Sequence, residues 1–125
     1  MVKIDPKKYP VLASKPLEQW HKEMWEYLAR YPYRDKDAFI NEVFPFSERM
    51  LLFDSWDCFA CLFAGRSRKR KNNPCDFCPL CSYGQNGLNC LHGLYDKWIN
   101  AKEAGQYDEA KKVATQIANL QWRVK

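Results

Sequence analysis

No stretch of this chain is long and apolar enough to cross a bilayer. The longest run, "CFACLFA" at positions 58–64, has seven residues, against the roughly 20 that a spanning helix needs. The opening "MVKIDPKKYP" has no apolar core of the signal-peptide kind. The expectation is a soluble, cytoplasmic protein. Histidine is scarce, with two in 125 residues. HExxH, a Gly-rich phosphate loop and GxSxG are all missing. Catalytic zinc keeps an open position among three protein ligands, often His or Glu. Zinc deaminases need HxE upstream of PCxxC. "PCDFC" at 74–78 supplies the second half, but the only upstream HxE is His21-Lys22-Glu23, on a helical stretch crowded with aromatics. These absences argue against an enzyme and against a small-molecule substrate.

Apolar material is not lacking. The hydrophobic share is 46%, with 5 Trp, 7 Tyr and 7 Phe. A chain of 125 residues is read as one domain, small enough to gain from a metal staple. It divides into an N-terminal helical part (1–56), a Cys-rich insert (57–92) and a C-terminal helical hairpin (93–125). In the first part, Ser14 is the expected cap of a helix with Pro16 in its first turn. Leu17, Trp20, His21, Met24, Trp25, Tyr27, Leu28 and Tyr31 recur along it at helical spacing, and Pro32 stops it. Asp35 caps a second helix bearing Phe39, Ile40, Val43 and Phe44, ended by Pro45. Ser47 caps a third short piece, for which a strand is the alternative. The first dozen residues read as irregular.

From Asp57 to His92 no periodicity survives, and Gly, Pro and Asn mark turns. Helical order returns in the tail. Leu94, Tyr95, Trp98 and Ala101 form one stripe, Gly105 breaks the chain, and Tyr107, Ala110, Val113, Ala114, Ile117 and Leu120 form the next. The short link predicts an antiparallel αα-hairpin. "GQYDEA" resembles a tetratricopeptide-repeat turn, but no second copy occurs near a 34-residue period. The predicted fold class is mainly α, with both helical parts packed around an irregular, zinc-stabilised centre.

Five of the six cysteines lie between 58 and 81. Cys58 and Cys61 form one CxxC and Cys75 and Cys78 another, with 13 residues between the pairs. Each pair brings two thiolates to one ion from a tight turn, and two pairs complete a tetrahedron around Zn²⁺. In a reducing compartment such spacing favours metal over disulfides. Zinc needs four ligands, so either Cys90 replaces one of these or Cys81 and Cys90 are spare. His92 is a further possible ligand. The CxxCxxC run of Cys75, Cys78 and Cys81 is also the spacing of bacterial iron–sulfur ligation, whose fourth Cys precedes Pro. Here Leu91 follows Cys90, which favours structural zinc over a cluster.

Net charge is +5, and its excess is concentrated. Residues 58–92 carry five basic side chains and one acidic. The five are Arg66, Arg68, Lys69, Arg70 and Lys71, between the two CxxC pairs. Two readings stand side by side. A zinc with four thiolates is formally −2, and nearby cations offset it. Alternatively the run is a finger for nucleic-acid phosphates or an acidic partner, aided by Lys97, Lys102, Lys111 and Lys112 if they share a face.

The order "WHKEMWEYLARYP", "CFAC", "CDFCPL", a later Cys, "GLYDKW" and "AKKVATQIANLQW" resembles a group of small Cys-rich proteins encoded by bacteriophages and prophages, of uncharacterised function. The resemblance spans about Leu17 to Trp122. It implies a phage origin and a metal site that uses four of Cys58, Cys61, Cys75, Cys78 and Cys90, ranking Cys81 and His92 below them. The expectation that follows is a non-enzymatic, zinc-stabilised interaction protein in the bacterial host cytoplasm. It would bind and regulate or inhibit a host or phage protein, one of defence or nucleic-acid processing. The alternative is a DNA- or RNA-binding zinc protein, acting alone or within a nucleoprotein complex, through the loop at 66–71.

Overall fold

A computed structural model describes residues 4–54, Phe59, Leu62, residues 94–120 and Trp122. All regular structure among them is helical. The first expected boundary moves. Ser14 does not cap a helix. Its hydroxyl donates to the Val11 carbonyl at 2.5 Å and closes a 3-10 turn at Leu12–Ser14. Pro16 takes the N-cap position, in extended conformation, and α1 runs Leu17–Arg30. The helix ends at Arg30 because Tyr31 precedes Pro32, and a residue before proline is driven out of the α region. Its interior face comprises Leu17, Trp20, His21, Met24, Trp25, Leu28 and Ala29, while Tyr27 and Tyr31 are half-buried.

The Asp35 cap forms as expected. Its Oδ1 accepts from the Ala38 N–H at 3.0 Å, and α2 runs Lys36–Val43. The third segment is a helix, α3, at Phe46–Asp54. It begins on the Pro45 carbonyl, which accepts from the Glu48 N–H at 2.9 Å. Ser47 therefore falls inside the first turn instead of capping it. The hairpin helices are α4, Leu94–Glu103, and α5, Tyr107–Ala118. Between them Gly105 has φ +71°, the left-handed conformation that glycine adopts without a Cβ penalty. Tyr107, expected on the inner stripe, is 46% exposed. The apolar stripe of α5 starts at Ala110.

Helix α5 packs on both α1 and α4, α2 packs on α1, and α3 on α2. Trp25 of α1 meets Trp98 of α4 edge-on, with ring centroids 4.9 Å apart. Full burial of one such ring is worth about 3 kcal/mol, so the tryptophans rank among the main contributors to the core. Two residues of the Cys-rich insert belong to this core. Phe59 and Leu62 are helical and only 0% and 2% exposed. At those two positions the expectation of irregular chain is corrected.

Candidate functional site

The predicted metal ligands Cys58, Cys61, Cys75, Cys78 and Cys90, with Cys81 and His92, lie outside the described residues, as do Arg66, Arg68, Lys69, Arg70 and Lys71. Among the described residues no three His, Cys, Asp or Glu side chains converge on a metal-sized position. What is described is the residue that follows each cysteine of the first CxxC in the chain. Phe59 follows Cys58 in the chain and Leu62 follows Cys61. The Phe59 ring lies 6.3 Å from Trp20, nearly parallel to it, and 6.2 Å from Phe44. Trp20 and Phe44 are themselves 4.7 Å apart. Three rings from α1, the end of α2 and the start of the Cys-rich insert thus form one cluster.

A polar brace fixes the Trp20 ring. Its Nε1–H donates to the Leu12 carbonyl at 2.9 Å, and the Lys15 ammonium sits 4.6 Å above it. Lys15 is held in turn by both carboxylate oxygens of Glu23, at 2.8 and 2.9 Å. Leu12 is positioned from α3. Glu48, 0% exposed, accepts from the Leu12 N–H at 2.8 Å and the Val11 N–H at 3.2 Å. These are N–H groups at the start of the 3-10 turn, which has no partner for them within itself. The carboxylate caps that turn from 36 residues away.

His21, the other half of the HxE, is buried where α1 meets α5. Glu23 is already engaged by Lys15, and His21 faces elsewhere. A backbone carbonyl only accepts, so Nε2 carries the proton and donates to the Ile117 oxygen at 3.1 Å. Nδ1 has no hydrogen-bond partner among the described residues. Trp122 meets the ring edge-on at 5.8 Å. Burial penalises the imidazolium and lowers the pKa from 6.5 to about 4, with the Ile117 carbonyl opposing only in part.

The four lysines invoked for a shared basic face divide. Lys97, Lys111 and Lys112 are exposed. Lys102 is turned toward the α1–α2 connection, where its Nζ donates to the Arg34 carbonyl over the Trp98 ring. Partial burial lowers its pKa, and Asp35 opposes the shift. Arg34 packs its guanidinium 4.4 Å from the Tyr31 ring and donates to the Tyr27 hydroxyl at 2.7 Å.

Sequence reasoning missed Leu12, Glu48, Phe59 and Leu62. Only the last two left a signal: they are three apart, one helical turn, inside "CFACLF". No protein-family model, curated protein or solved structure matches this chain. Among the described residues no helix is long and apolar enough to cross a membrane.

Proposed function

We propose that this is a non-enzymatic, zinc-stabilised interaction protein of phage origin that binds and regulates or inhibits a protein of the bacterial host. The observation that carries the reading is the pair of CxxC motifs with 13 residues between them, because two such turns satisfy one tetrahedral Zn²⁺. Four of Cys58, Cys61, Cys75, Cys78 and Cys90 hold the ion. The phage origin and the host target rest on the resemblance described above. An interaction role draws support from α3, where Phe46 and Met50 lie four residues apart and are 78% and 63% exposed. Aromatic and methionine side chains are enriched where proteins meet.

The test is metal content by elemental analysis, with each cysteine replaced in turn. One zinc per chain, lost when a ligand is replaced, supports the reading. A metal-free folded protein, thiols oxidised into bridges, or iron with sulfide refutes it. Capture from host lysate, repeated after nuclease treatment, tests the partner, and a partner that vanishes with nuclease turns the reading toward nucleic acid.

That second reading is favoured by one observation: five of the six residues at 66–71 are basic. Direct phosphate binding would make affinity fall steeply with salt. A gel shift at two salt concentrations, with the basic run replaced by Ser and Gly, decides it.

A further inference from the structure

The described residues that continue each half of the first CxxC are core residues. Phe59 and Leu62 are buried in the same core as Trp20 and Phe44, Phe59 in ring contact with both, and Trp20 is anchored by the Leu12 carbonyl. Cores are close-packed and do not deform continuously. Each of these two residues shares a peptide bond with a proposed metal ligand. We infer that Phe59 and Leu62 couple metal occupancy at Cys58 and Cys61 to the packing of Trp20 and Phe44, so that the helical core and the ion stabilise each other. The inference rests on the zinc reading above.

The physical reason is shared ordering. Closing a metal site requires the ligand-bearing backbone to be fixed, which costs conformational entropy. When the ring cluster has already fixed Phe59, and burial in the core Leu62, less of that ordering is left for the ion to impose. Linkage makes the effect reciprocal. An ion that binds the ordered segment strengthens the ring cluster, and a weakened cluster binds the ion less well.

The experiment uses the full chain labelled with 5-fluorotryptophan and cobalt(II) as the metal probe, since cobalt thiolates absorb in the visible. The five tryptophan fluorine signals are assigned with Trp→Phe variants. Removing the metal with EDTA is expected to shift or broaden the Trp20 signal and leave that of Trp98 in place. Phe59→Ala is expected to lower cobalt affinity at least tenfold. Val113→Ala, a core truncation on α5, is expected to stay within a factor of two of the parent. Should Phe59→Ala fail to fold, Leu62→Ala carries the same comparison. Normal cobalt uptake with unchanged affinity in the Phe59 or Leu62 variant, and a Trp20 signal indifferent to metal, overturns the coupling alone. A protein that takes up no cobalt overturns the zinc reading and the coupling with it.

Discussion

Acid should weaken this fold through one residue, and the size of the effect follows from where His21 sits. The ring is 1% exposed, donates from Nε2 to the Ile117 carbonyl and lies beside Trp25 and Trp122. Its pKa falls from 6.5 in the unfolded chain to about 4 in the folded one. Below pH 6.5 the unfolded chain takes up a proton that the folded chain refuses. Stability is therefore unaffected by His21 above pH 7, drops as pH falls from 6.5 toward 4, and levels off below that. At about 1.4 kcal/mol per pKa unit the full loss is about 3 kcal/mol, of which about 1.4 kcal/mol is already gone at pH 5.5. Urea denaturation at pH 7.5, 5.5 and 4.5 measures it against His21→Gln, which keeps an amide N–H for the Ile117 carbonyl but does not titrate. The difference in pH slope between parent and variant isolates this residue from other titrating groups. With only two histidines in the chain, proton NMR of the ring C–H signals gives a direct check. A His21 signal titrating at or above pH 6, or identical pH slopes in the two proteins, would refute the reasoning.

Three further outcomes are expected. Glu48→Ala removes the acceptor for two N–H groups and should cost about 2 kcal/mol or more, read by urea denaturation, with the Trp20 fluorescence environment altered because Leu12 is no longer held. Asp35→Ala should cost about 1 kcal/mol through loss of the α2 cap, and Asp35→Asn should restore most of it in the same assay. Gly105→Ala meets no atom within 4 Å of the added Cβ, so its cost should be the left-handed backbone penalty alone, about 1 kcal/mol. A thermal midpoint unchanged by that substitution would show that the turn relaxes.

Helical spacing made α1, α4 and α5 legible because each has an apolar face repeating over ten or more residues. The Asp35 cap was legible because its partner, the Ala38 N–H, is local. Ser14 and Ser47 misled for the same reason: a serine before an apolar run is a local cue, and prolines at 16 and 45 set the actual starts. Glu48 was invisible. In "SERMLL" it reads as a surface acid, and its partners at 11 and 12 are main-chain groups that leave no trace in sequence. Tyr107 kept the helical period yet opens α5 beside the hairpin turn and is exposed. Of the candidate site, the thiol spacing was read in full from the sequence, whereas the attachment of Phe59 to Trp20 and Phe44 is a tertiary contact between segments 15 or more residues apart and emerges only in three dimensions.

The Glu48 carboxylate grips main chain, not side chains, at Val11 and Leu12. Such a clasp is blind to most amino-acid exchanges at position 11, with proline the exception since it has no N–H to offer. It is sensitive to length instead. Deleting one residue between the start of α3 and Glu48 would turn the carboxylate by about 100° around the helix axis and open the clasp. Across this stretch the protein can drift in composition far more freely than it can lose or gain a residue.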